Sequence, residues 1–180
     1  MRKKKLILYK SKTGFTKRYA ESIAAETGGT AMDIKKAAPA VFSSFDTIIF
    51  GGRMHAGRID GLDDARKLFQ KCGLKPSALF VTGAMPNTET QTITKMWENN
   101  LTAEELAGLP HFYMQSGLCY EKMGFFDKTM MKMFAFMMKH KKGKSPDESR
   151  FAKSIASSYD ISSEEYIRPL VKCLQDEQVH

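Results

Sequence analysis

The chain is poor in the residues that build cross-links and metal centres. It holds 3 cysteines, and Cys72, Cys119 and Cys173 stand far apart with no CxxC spacing. That pattern excludes a disulfide framework and a zinc site, leaving reduced, buried thiols. His55, His111, His140 and His180 also lack ligand spacing, so no metal is expected. No stretch approaches the roughly 18 uninterrupted apolar residues of a membrane-spanning helix. The start, Met1-Arg2-Lys3-Lys4-Lys5, has the charge of a signal-peptide n-region, but the apolar run behind it covers only Leu6 to Tyr9. Export is therefore not expected, and a cytoplasmic placement is. The single tryptophan, Trp97, falls on a helical segment and reads as packing.

What is present suits one soluble domain spanning residues 1–180, with 42% hydrophobic and 27% charged residues. A formal net charge of +8 favours anionic partners: a lipid surface, nucleic acid, or an acidic protein or substrate. No nucleic-acid motif accompanies it, so nucleic acid is not the expected partner.

The stretch Leu6 to Ala20 reads as strand, hydroxyl-rich turn and helix. Leu6 to Tyr9 are apolar without alternation, as in a strand buried on both faces, and Tyr19, Ile23 and Ala24 take up helical spacing. At such a turn the free backbone N–H groups and the positive end of the helix dipole converge, which makes an anion site. Ser11, Thr13 and Thr16 add hydroxyl donors, Gly14 lets the backbone approach closely, and Lys12 and Phe15 complete the loop. The second glycine and the Lys-Ser/Thr pair of a P-loop are missing, and so are two glycines of the dinucleotide fingerprint. A single terminal phosphate is the ligand that remains.

Further strands are expected at Thr30 to Ile34, Asp46 to Phe50, Ala78 to Thr82 and His111 to Gln115, and helices at Leu62 to Cys72 and Thr90 to Asn99. Gly28-Gly29 and Gly73 read as helix C-caps, and Thr102 to Glu105 as a capping box. Alternating strands and helices imply an α/β fold with a parallel sheet. Two loops follow strands: Gly51-Gly52-Arg53-Met54-His55-Ala56-Gly57-Arg58-Ile59, and Gly83-Ala84-Met85-Pro86-Asn87.

The first turn resembles the FMN phosphate pattern of flavodoxin-like proteins: an aromatic, any residue, Ser/Thr, two residues, a small residue, one residue, Thr, three residues, Ala. Tyr9, Ser11, Gly14, Thr16 and Ala20 fill its fixed places. The resemblance implies a doubly wound five-stranded sheet of order 2-1-3-4-5, with FMN at the switch point between strands one and three. The loop GGRMHAGRI is similar to the segment facing the flavin ring in the protoporphyrinogen-dehydrogenase branch of that family. On this likeness Gly52, Arg53, Met54, His55, Ala56 and Gly57 frame the ring on one side, and Thr82, Gly83, Ala84 and Met85 on the other. Arg53 and Arg58 then form a basic loop beside the ring, and His55 is the one candidate for a catalytic group. Neither loop offers a Trp or Tyr to stack on the ring, which favours two-electron chemistry on an organic substrate.

A helical insertion is expected at about 118–145. Its run GFFD followed by Met-Met also resembles the insertion of protoporphyrinogen dehydrogenases of the flavodoxin type. Asp127 reads as the N-cap of a helix over 125–142, and Lys128, Lys132, Ala135, Lys139 and Lys142 fall on one stripe. Met130, Met133, Phe134 and Met137 either pack as core or share a contact surface, and insertion into a membrane would need some of Met131, Phe136 and Met138 exposed. A further short helix at Glu148 to Ser158 and a closing helix at Ser162 to Asp176 follow, with Pro169 either kinking that helix or marking its first turn. The functional readings are an FMN oxidoreductase passing electrons from a porphyrinogen-like donor to a quinone, a soluble electron carrier serving a redox protein, and a flavin-free interaction module. Contact with an anionic membrane through the 125–142 helix and assembly into a homo-oligomer both stay open.

Overall fold

The computed structural model describes residues 3–143, 149 and 152–176. Strands β1 (Lys5–Tyr9), β2 (Thr30–Asp33), β3 (Thr47–His55), β5 (Ala78–Gly83) and β6 (His111–Gln115) form a parallel sheet of order β2-β1-β3-β5-β6. This is the expected flavodoxin-like order. A short strand β4 (Arg58–Ile59) folds back antiparallel on the end of β3.

The unalternating apolar runs are explained by burial on both faces. Leu6 and Leu8 of β1, Phe50 of β3 and Val81 of β5 face a core shared with helices α2 (Pro39–Phe42), α3 (Leu62–Cys72), α4 (Thr90–Asn100) and α5 (Ala103–Gly108). Ile7, Ile49, Phe80 and Met114 face the other core, closed by α1 (Phe15–Thr27) and the C-terminal α7 (Arg168–Asp176). Each such side chain contributes about 1.5–3 kcal/mol of hydrophobic stabilisation. The capping box at Thr102 and Glu105 forms as expected, and Gly28 and Gly73 close their helices with φ of 63° and 64°. Pro169 lies in the first turn of α7, after a 3-10 turn at Glu164–Ile167. The helix start expected at Glu148 and the end of the preceding one at Asp147 lie outside the described residues.

One expectation is corrected by β3. Gly51 and Gly52 do not open a loop; they continue the strand, paired with Tyr9 on one side and with Phe80 and Val81 on the other. Their lack of a side chain serves packing. A Cβ on Gly51 would stand 2.0 Å from the Phe80 ring, and one on Gly52 2.7 Å from Ile59. The bend comes later, at Ala56 and Gly57, whose φ values of 47° and 79° make the two-residue turn into β4. β3 thus projects Arg53, Met54 and His55 past the end of β1 as a rigid arm.

The insertion begins with β7 (Gly117–Leu118), paired antiparallel to β8 (Tyr159–Asp160), and contains α6 (Phe125–His140). The N-cap of α6 is Gly124, not Asp127, because Asp127 sits inside the first turn with its carboxylate committed elsewhere. Ala135 is buried, and Met131 and Met138 pack with it against Leu118 and Ile155. Met130, Met133, Phe134 and Met137 are exposed, so the core reading of those residues fails. The insertion has too little core of its own to cover them.

Gly51→Ala should destabilise the protein by about 1–3 kcal/mol, because the Phe80 ring must leave its place in a closed core. Urea unfolding of parent and variant measures it; Gly57→Ser, where a side chain meets nothing within 4 Å, is the strain-only comparison.

Candidate functional site

The phosphate turn is shaped by its own hydroxyls. Ser11 Oγ accepts from the Gly14 N–H at 3.2 Å, and Gly14 takes φ 101° as the N-cap of α1. Thr16 is buried and its hydroxyl pairs at 2.8 Å with that of Thr82 at the end of β5. This bond ties the phosphate turn to the second ring loop across the width of β3. Each hydroxyl can still use its remaining donor or acceptor capacity.

Around the turn lies a cavity of about 510 Å³ lined by Thr13, Gly14, Phe15, Arg18 and Lys122 among others. A neighbouring cavity of about 100 Å³ is lined by Arg53, Met54, His55, Ala56, Thr82, Gly83 and Ala84. Thr13, Phe15, Leu118 and Cys119 line both, so the two form one elongated site. Of the remaining expected residues, Gly52 is sealed under β4, and the Gly57 carbonyl accepts from Asn100 Nδ2 at 3.0 Å. Met85 is clamped through its backbone: the Tyr113 hydroxyl accepts from its N–H and donates to its carbonyl, both at 3.0 Å. Tyr159 donates likewise to the Ala84 carbonyl at 2.9 Å. Burial raises both phenols, Tyr159 to about 12, so they stay neutral donors.

The insertion supplies what sequence reasoning missed. Asp127 reaches back to Lys12 Nζ at 2.8 Å, to His55 Nε2 at 2.9 Å and toward Arg53 Nη2 at 3.7 Å. Its Lys12 hydrogen bond, aided by His55, holds its carboxyl down at about 2. Arg53 also meets Asp60 at 3.1 Å, while Arg58 turns outward to Asp63. The basic ring loop is therefore compensated, which the sequence reading of Arg53 and Arg58 as uncompensated charge did not foresee. On the phosphate side Arg18 bonds Asp160 at 2.8 Å, and that bond holds Asp160 at about 2. Partners separated by 115 and 142 residues leave no local pattern to find them by; Arg18 alone carried a hint, one helical turn after Gly14.

Comparison with protein families matches residues 6–147 to the family described as Flavodoxin domain. The chain belongs to this flavodoxin family. Family membership implies FMN as the cofactor, and the site fits it: a glycine cradle with backbone and hydroxyl donors for a monophosphate, then a flat cavity between two strand-end loops. Similar solved structures include a WrbA-like flavodoxin from Agrobacterium tumefaciens (17% identity, 85% of this chain and 97% of that one, TM-score 0.40). Others are a flavodoxin from the domain Archaea (12%, 86% and 99%, TM-score 0.42) and two-electron reduced Megasphaera elsdenii flavodoxin (15%, 84% and 98%, TM-score 0.40). Nothing matches among curated proteins.

Asp127 and Asp160 fold with pKa values below that of a free carboxyl, so the stability they give this flavodoxin is complete above about pH 4 and is lost as pH falls toward 2. Acid titration of unfolding should show Asp127→Asn less stable than the parent at neutral pH, with the gap closing below pH 4.

Proposed function

We propose that this flavodoxin-family chain is an FMN-dependent oxidoreductase that takes two electrons from a porphyrinogen-like organic donor and passes them to a quinone at an anionic membrane surface. The observation that carries the reading is α6. Its first two turns line the ring cavity through Asp127, Met130 and Met131, while its outer face exposes large apolar side chains. Phe126, Met130, Met133 and Met137 fall at 4-3-4 spacing on one stripe, with Phe126 85% and Met133 62% exposed. Phe125 and Phe136 stand beside them.

Lys128, Lys132 and Lys139 share a stripe with buried Ala135, about half a turn around the helix from Phe126, Met130, Met133 and Met137, so they border the packed side behind the apolar stripe, and Lys142 lies beyond the end of α6. An apolar stripe of this size, on a chain of net charge +8, suits the surface of an anionic bilayer. Each apolar side chain fully buried in it contributes about 1.5–3 kcal/mol, and the lysines behind the stripe add a weaker, salt-sensitive attraction that falls off within a Debye length. Of Met131, Phe136 and Met138, only Phe136 is on the exposed face, so the inserting set is Phe125, Phe126, Met133, Phe136 and Met137. No helix among the described residues is long and apolar enough to cross a membrane, and the reading requires only contact from one side.

Within the site, Ser11 shapes the phosphate turn, Thr13, Gly14 and Phe15 line it, and Thr16 and Lys12 tie it to the ring loops. Arg53 to Gly57 and Thr82 to Met85 frame the ring. Bound FMN supplies a ring that accepts two electrons and one proton from the donor and returns them to the acceptor. His55, on the rigid end of β3 and lining the ring cavity, is the side chain placed to hold or move a proton there. The likeness of GGRMHAGRI and of the GFFD-Met-Met run to protoporphyrinogen dehydrogenases supports the donor class.

Purified protein should retain FMN, oxidise a porphyrinogen with a quinone as acceptor, and float with anionic but not neutral vesicles. Glu at Phe126, Met133 and Met137 should abolish flotation and lower turnover with membrane-embedded quinone while sparing turnover with a water-soluble one. Retained FMN with no porphyrinogen turnover, and reduction of a redox protein instead, would make the chain an electron carrier. Protein that takes up no FMN would be an interaction module.

A further inference from the structure

The ring cavity carries more positive charge than its surroundings display. Arg53 and His55 line it from the end of β3, and Lys12 reaches its edge from the phosphate turn. All three converge on one carboxylate, Asp127, at 3.7, 2.9 and 2.8 Å. Asp127 is also the one carboxylate among the described residues lining that cavity. The rest of the network is balanced without it: Arg53 shares Asp60 with Lys10, and Lys10 also pairs with Asp64. With Asp127 in place, Lys10, Lys12 and Arg53 face Asp60, Asp64 and Asp127 and cancel; without it one positive charge is left over, before any on His55. The side chains of Asp127 and Arg53 are only 14% and 12% exposed, so water screens this part of the network weakly.

Lys12, Arg53 and His55 all come from the two loops that the sheet itself positions. Asp127 alone comes from α6, outside the sheet. Reduction adds two electrons and one proton to FMN, so a net negative charge stays at the site while the donor's second proton leaves to solvent. Whatever sets the local positive field sets how well that charge is tolerated.

We propose that Asp127 is a positioning residue for Lys12, Arg53 and His55 through which the inserted helix lowers the flavin potential, its carboxylate cancelling the positive charge these groups would otherwise present to reduced FMN. The inference rests on the FMN reading and concerns the regulation of that same site.

The test is a midpoint-potential titration of FMN-loaded protein in four forms: parent, Asp127→Asn, Lys12→Met and the double variant. Uptake of FMN by the apoprotein is measured first, by fluorescence quenching. Asp127→Asn should raise the preference for reduced over oxidised FMN about tenfold, which is about 30 mV for a two-electron couple. Lys12→Met should shift the potential the other way, and the double variant should return to the parent value, because the charge balance is restored. An Asp127→Asn potential equal to or below the parent's, or a double variant that keeps the single variant's shift, would overturn the proposal. Should Asp127→Asn fail to fold, a Lys12→Met potential that does not fall would do the same. A parent that binds no FMN removes the cofactor reading and this inference with it, whereas FMN binding with unshifted potentials removes the inference alone.

Discussion

The parallel sheet must be buried on both faces, and that requirement organises the molecule. Every strand-to-helix connection then crosses an edge of the sheet, and at the carboxyl ends of β1, β3 and β5 the loops are forced into one neighbourhood. The hydroxyl turn after Tyr9, the projecting end of β3 and the Thr82-Gly83 corner meet there because the strands that carry them are adjacent in the sheet. The Thr16–Thr82 hydrogen bond then joins two of these connections beneath the third. Buried hydroxyls bonded to each other fix the loops more tightly than solvent-facing ones would, since breaking the pair leaves both unsatisfied.

Onto this frame the insertion adds a helix and a two-stranded ribbon. Its own apolar core is small, built from Leu118, Ala135 and Ile155 with a few flanking side chains. Such a core cannot by itself hold a 16-residue helix in one place. The charged contacts of Asp127 with Lys12 and His55 are therefore structural as well as electrostatic, since they anchor the first turn of α6 to both flavin loops. Partly buried and bonded to more than one partner, they are worth more than an exposed ion pair, whose contribution is about 0–1 kcal/mol.

The same helix faces two environments of opposite character. Toward the site it offers one carboxylate and methionines that adapt to irregular space. Away from it, exposed Phe125, Phe126, Met133, Phe136 and Met137 form a patch of the kind that marks a contact surface. The helix is thus anchored by charge at its first turn and apolar along its outer face.

By itself the sequence determined where the strands lie, the helix ends at Gly28 and Gly73, the capping box at Thr102 and the strand, turn and helix layout around Ser11 to Thr16. All of these are local signals: unalternating apolar runs, glycine at left-handed caps, hydroxyls at a strand-to-helix turn. The short, contiguous pattern from Tyr9 to Ala20 carried the resemblance that implied the sheet order and FMN as the cofactor. Tertiary structure alone decided the rest. Gly51 and Gly52 are strand residues because Phe80 and Ile59 occupy the space beside them, which no spacing within the loop records. Asp127 is a partner of Lys12 and His55 rather than a helix cap, and Met131 and Met138 rather than Met133 and Met137 face inward, because the way α6 faces is set by contacts with residues far away in the chain. Helical periodicity can say which residues share a face; only the packing of that helix against distant strands says which face is buried.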